Sequence, residues 1–155
     1  MEKIKIKTEA VLEAFNILNT ATYKQMDDAD KIKLWKIARA MKPIAKQFED
    51  DSKDAAEKMK PDGIDEKLEK AKEYETKMKD GKTDSLPMTA GEYHSFIVDV
   101  WQPFNKLVTK AVKEFADKEV EIEFEPLTEE SFGKLIASND WTLDKAITLG
   151  ALIIG

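Results

Sequence analysis

Along this chain the apolar positions recur every three or four residues almost throughout, and every second residue in only two places. The two exceptions are Lys3-Ile4-Lys5-Ile6-Lys7 and Glu119-Val120-Glu121-Ile122-Glu123-Phe124-Glu125, the second stopped by Pro126. Each reads as a strand with one apolar and one charged face. The charged faces are opposite in sign, lysine on one and glutamate on the other. Like charges across a strand pair oppose pairing and opposite charges favour it by roughly 0.2–1 kcal/mol each. A two-stranded ribbon joining 3–7 to 119–125 is therefore expected, with Ile4, Ile6, Val120, Ile122 and Phe124 turned to a core.

The helical stretches follow in order. Thr8 is expected to cap a first helix carrying Val11, Leu12, Phe15 and Leu18 on one side and ending near Thr20 to Tyr23. Asp27, Asp28 and Asp30 suit the positive end of a second helix, on which Leu34, Ile37, Met41, Ile44 and Phe48 share a face. Pro43 falls within it and should kink or divide it. Thr89-Ala90-Gly91-Glu92 spells a capping box. The helix after it, Tyr93 to Phe115, has the broadest apolar face in the chain, so burial among several neighbours is expected, with a kink at Pro103. Thr128 begins a short helix through Ile136, and either Asp140 or Thr142 caps a last one holding Leu143, Ala146, Ile147 and Leu149.

Between residues 49 and 82 most residues are charged. Lys60-Pro61-Asp62-Gly63 is a turn signal, preceded by Phe48, Ser52, Ala55 and Met59 and followed by Ile64, Leu68, Ala71 and Met78 at helical spacing. This pattern reads as a charged helical-hairpin arm or insertion, or else as a charged linker, because a stripe so thin is marginal by itself. The expected architecture is a mainly α single-domain helical bundle over 1–155, packed around the Tyr93–Phe115 helix. It carries the ribbon and the projecting hairpin.

Composition narrows the chemistry. Charged residues make up 36% and the formal net charge is −6, which argues against a dedicated nucleic-acid binder and leaves direct nucleic-acid binding unexpected. There is no cysteine, so disulfides, thiolate metal sites and cysteine nucleophiles are excluded. The longest apolar run, Leu149 to Ile154, is too short to span a bilayer. It should dock into its own core or into a second subunit, and a homo-oligomer is expected from it. Gly81-Lys82-Thr83 lacks the opening glycine of a phosphate-binding loop. The glutamates of 119–125 diverge along a strand rather than converging on a cation. His94, the single histidine, has no recognised nucleophile or orienting acid. No catalytic residue, cofactor or metal is expected.

One surface exceeds a solvated helix face. On the second helix Trp35 points away from the apolar stripe, among Lys31, Arg39, Lys42 and Lys46, and Arg39 is the single arginine of the chain. A large aromatic ringed by cations suits docking of an acidic or phosphate-bearing partner. The alternative is that the charged segment or the first helix covers Trp35, with lysine stems packed over it. Trp101 and Trp141 read as core or subunit-contact residues.

Several segments together resemble a family of small phage-encoded proteins with a domain of undefined function, often encoded near tail and morphogenesis genes. They are the opening Lys-Ile-Lys-Ile strand, Glu9-Ala-Val-Leu-Glu-Ala-Phe-Asn-Ile-Leu-Asn19, Ile37-Ala-Arg-Ala-Met-Lys-Pro-Ile44, Phe48-Glu-Asp-Asp, and Phe115-Ala-Asp-Lys-Glu-Val-Glu-Ile-Glu-Phe-Glu-Pro-Leu127 with the apolar helix after it. The resemblance implies a phage setting and assigns no catalytic residue. The expectation is a non-enzymatic phage protein acting by protein–protein binding in virion or tail assembly. The alternative is an anti-defence protein that inhibits a host immune effector or sequesters its nucleotide signal. Its partner would be a phage structural protein or a host defence protein, met in the bacterial cytoplasm or on the virion.

Overall fold

The computed structural model describes residues 2–154, with side chains from Lys3. It is a mainly α fold with one small antiparallel ribbon. The chain divides into two compact units, Met1–Asp51 with Glu114–Gly155, and Ser52–Lys113.

In the first unit, β1 (Glu2–Lys7) pairs antiparallel with β2 (Glu119–Phe124), and the pair has the expected register of opposite charges. Lys3 lies opposite Glu123, Lys5 opposite Glu121 and Lys7 opposite Glu119, while Ile4 faces Ile122 and Ile6 faces Val120. Because side chains alternate between faces, this register turns every isoleucine inward at once, and a one-residue slip would turn them all out. Ile122 and Phe124 are buried, and Ile4, Ile6 and Val120 pack on the same cluster. The strand ends at Phe124, one residue before the last glutamate of the alternating run.

Helix α1 (Thr8–Asn19) follows β1 without a loop. Thr8 is not its cap: Lys7 holds that position without a side-chain bond, and Thr8 is buried. Its amide and hydroxyl both donate to the Lys118 carbonyl, at 2.9 and 2.7 Å. The hydroxyl is therefore committed to holding the strand–helix junction against the residue that precedes β2.

Helix α2 (Asp28–Met59) begins in this unit and ends in the other. It runs undivided through Pro43. Leu34, Ile37 and Met41 are buried on it, at the spacing of one helical face. Helices α6 (Glu129–Ala137) and α7 (Leu143–Ile153) close the core, capped by Thr128 and Thr142 through their hydroxyls. Of the two residues that could cap the last helix, Thr142 does so. The apolar tail docks into its own unit: Leu149 and Ile153 are fully buried, and the Leu127 amide donates to Ile153 O at 2.8 Å.

The second unit holds the end of α2, then α3 (Ile64–Lys79), a 3-10 turn at Thr83–Ser85, α4 (Ala90–Phe96), a π-helical segment at Ile97–Trp101, and the start of α5 (Gln102–Asp117). Helices therefore flank the Lys60–Gly63 turn, where Gly63 has φ of 74°, a left-handed conformation that costs glycine little. The capping box at Thr89 and Glu92 is formed. At Pro103 the helix answers with the wide π turn just before it, in which the Gln102 amide reaches back to Ile97 O. A proline ring displaces the carbonyl four residues earlier, and a π turn absorbs that displacement.

Two expectations fail in this unit. The helix through Tyr93 and Phe115 is not the centre of the fold. Phe96 is its buried residue, α5 has none among those described, and Val98 and Leu107 are exposed. The helix packed beside α4, α3, presents only a narrow apolar edge of Ile64, Leu68 and Ala71, too thin to cover a broad face. The α3 stripe also differs from the expected one. Met78 points outward, and Tyr74 takes the inner position by stacking on Tyr93 with ring centroids 4.5 Å apart.

Candidate functional site

Each residue singled out for binding lies on the first-unit half of α2. The i, i+4, i+7, i+11 spacing from Trp35 through Arg39 and Lys42 to Lys46 places them along one side of the helix, over about 16 Å at 1.5 Å per residue. Trp35, Arg39, Lys42 and Lys46 are all exposed, and Lys31, one turn earlier, is partly so. Trp35 itself is 58% exposed. The opposite side of the same turns carries the buried Leu34, Ile37 and Met41, which anchor the helix and leave the Trp35 side outward.

The arginine and the tryptophan act as a pair. The Arg39 guanidinium carbon lies 4.5 Å from the Trp35 ring centroid, a cation–π contact between residues one turn apart. Stacking holds the guanidinium plane in place, and its N–H edge stays available for a carboxylate or phosphate. Among the described residues, none of Lys36, Arg39, Lys42 or Lys46 forms an ion pair. The nearby cation Lys33 differs, since it meets Glu125 at 3.2 Å. On a chain of net charge −6, this is a local run of cations in no ion pair, of which Lys36 and Arg39 share a depression with Glu123 and Glu125.

Beside the ring lies a shallow apolar groove of about 290 Å³, lined by Leu18, Tyr23, Ile32, Leu34, Trp35 and Ala38, with Lys31 at its rim. Ile32 and Tyr23 are 55% and 51% exposed. Three large apolar side chains thus stand open to solvent around one depression, and a cation, Lys31, sits 5.9 Å over the Tyr23 ring. Sequence reasoning missed Tyr23 and Leu18, because they belong to α1 and the loop after it. The available signal was an aromatic in a polar linker.

That loop is held rigidly. The Thr22 amide donates to Asn139 Oδ1 at 2.8 Å, Asn139 Nδ2 donates back to Thr22 O at 2.7 Å, and the Gln25 amide donates to Ser138 Oγ at 2.9 Å. The end of α6 therefore positions Tyr23 for the groove. At the start of α2 the Asp30 amide donates to Asp27 Oδ1 at 2.9 Å, and this bond, more than the Lys134 ammonium 3.8 Å away, holds the Asp27 carboxyl below the usual carboxylate range.

Other sites offer less. A crevice of about 200 Å³ in the same unit is lined by Pro43, Ile44, Phe48, Phe115 and Val120 together with Thr8, Gln47, Asp51 and Lys118, and its two aromatics, Phe48 and Phe115, are half-buried. His94 is exposed. Trp141 packs against the first-unit core and Trp101 against Phe104 in the second unit. Among the described residues, no three His, Asp or Glu side chains group as metal ligands, and no helix is long and apolar enough to cross a membrane. The chain matches no protein-family model, no curated protein and no solved structure.

Proposed function

We propose that this chain is a binding protein, not an enzyme, and that the Trp35–Arg39 side of α2 is its recognition surface for an acidic protein partner. The observation that carries the reading is the stacked Trp35–Arg39 pair, exposed and in no ion pair among the described residues, flanked by Lys42 and Lys46. Tryptophan and arginine are the side chains that most often dominate interfaces, through large contact area and bidentate bonding respectively. The resemblance to small phage-encoded proteins supplies the setting: virion or tail assembly, inside the infected bacterial cell or on the particle. The test is capture from phage-infected cells with tagged protein, read by mass spectrometry. Arg39→Glu should lose the partners that the parent chain holds while its melting temperature stays unchanged. Trp35→Ala should weaken binding by roughly 2 kcal/mol or more if the ring is a hot spot. Unchanged capture by both variants would sink the reading.

A further inference from the structure

From the groove beside Trp35 we infer that the partner element is an amphipathic acidic helix that inserts one large apolar side chain between Tyr23, Ile32 and Trp35 and lays its carboxylates along Arg39, Lys42 and Lys46. This inference rests on the binding reading above and specifies what is bound. Two independent features lead to it. The first is the groove, whose volume of about 290 Å³ falls at the small end of ligand pockets and suits one side chain rather than a whole ligand. The second is the run of cations that begins where the groove ends. Their spacing of three and four residues means rises of about 4.5 and 6 Å along α2. A helix lying along α2 presents its own side chains at those same intervals, so an anchor residue followed one turn later by acids at three- and four-residue spacing meets each cation in turn.

Charge complementarity selects this occupant. Arg39, Lys42 and Lys46 form no ion pair among the described residues, Glu123 and Glu125 line a depression with Arg39 but not with the two lysines, and an apolar surface laid over the run would leave its charges unpaired. The Trp35–Arg39 stack also reduces the side-chain entropy lost when the arginine takes up a carboxylate.

The test uses the full chain and a labelled, designed peptide of about 18 residues, long enough to be partly helical. It carries one phenylalanine anchor and glutamates at three- and four-residue spacing after it. Three controls share its length: alanine for the anchor, lysine for the glutamates, and two central prolines. Fluorescence anisotropy reads binding. The parent peptide should bind, Ile32→Asp and the anchorless peptide should each weaken it roughly tenfold or more, and the proline and lysine peptides should not bind. Leu107→Asp, an exposed apolar residue of the second unit, should change nothing. Equal binding of the proline peptide would replace the helix by an extended segment, and equal binding of the anchorless peptide would remove the groove. Either result overturns the inference, as does absence of binding by the parent peptide. If Arg39→Glu still loses its cellular partners when the parent peptide fails, the acidic-partner surface stands and only its helical occupant is refuted. If Arg39→Glu keeps those partners, the surface itself falls.

Discussion

The two units bury apolar side chains on different scales. The most completely buried large residues, Val11, Ile37, Met41, Leu127, Leu135, Leu149 and Ile153, all belong to the Met1–Asp51 and Glu114–Gly155 unit. The Ser52–Lys113 unit has a cluster of Ile64, Ala71 and Phe96, with Leu68, Tyr93 and Trp101 partly buried around it. In it the broad apolar face that starts at Tyr93 meets only the narrow edge of α3, and a helix in a protein gains most of its stability from packing of its apolar face. The first unit can therefore hold a surface such as the Trp35 groove rigidly, while the second is the part of the chain with less to lose on opening.

The largest predicted effect breaks the first unit outright. Met41 is fully buried on α2, and a carboxylate there would have no partner. Met41→Asp should abolish the native fold, seen as loss of cooperative unfolding and of dispersed amide signals. A folded Met41→Asp protein would mean that the core is far softer than its burial indicates.

Trimming rather than charging the two cores sharpens the contrast. Leu149→Ala should lower stability by about 2–5 kcal/mol, measured by denaturant titration. Phe96→Ala should speed amide exchange within Ser52–Lys113 and leave exchange in α1 and α7 nearly unchanged. If Phe96→Ala instead lowers protection equally everywhere, the two units open as one and the distinction fails.

The units should also respond to opposite ends of the pH scale. In the second unit, the hydrogen bond to Glu75 pushes the Tyr93 hydroxyl up to about 12. The Lys60 ammonium is raised by Asp65 and Glu57, each 3.0 Å away. A group whose folded pKa is raised stabilises the fold below its unfolded pKa and ceases to do so as pH climbs through the folded value. For Tyr93 that window runs from its ordinary 10.0 to about 12. In the first unit Asp27 is lowered from 3.8, so its contribution is present above that value and is lost as pH falls through the depressed one. Alkali should loosen α3 and α4 first and acid the start of α2, and the effects should be small because Asp27 is exposed and Tyr93 and Lys60 are only half-buried. Exchange at pH 11 that is faster in α1 than in α3 would reverse this assignment.

These differences mark what could be read from the chain. The ribbon was legible because charge sign and period two specify both partner and register, a local pattern with one global solution. The N-cap residues Thr89 and Thr128 were legible because capping depends on three neighbouring residues, and Thr142 was one of two candidates, beside Asp140, between which that local pattern does not choose. The place of the Tyr93–Phe115 helix was not, since an apolar face predicts burial only if another element is wide enough to cover it, and α3 is not. Thr8 was misread because its real acceptor, Lys118 O, is remote in sequence. Helical phase placed Trp35 off the apolar stripe of α2, but whether the charged segment or α1 covers it was not legible, since that depends on where other elements pack. The groove beside it was not, because Tyr23 reaches it through a loop fixed by Asn139 and Ser138.

The smallest predicted effect tests the reading of the ribbon. Lys5 and Glu121 are opposite in register and both exposed, so neither contributes to the core. Lys5→Glu places two carboxylates across the pair and should cost roughly 0.2–1 kcal/mol. Glu121→Lys places two ammonium groups there and should cost about as much. The double exchange restores opposite charges with the order reversed, so it should recover most of either loss, and the recovered part is the pair energy free of single-residue propensity. Thermal melts of the four proteins at low and high salt measure it, because screening should shrink the coupling while leaving propensity effects in place. Additive losses in the double variant would show that the inward-facing isoleucines, Val120 and Phe124 set the register without help from the charges.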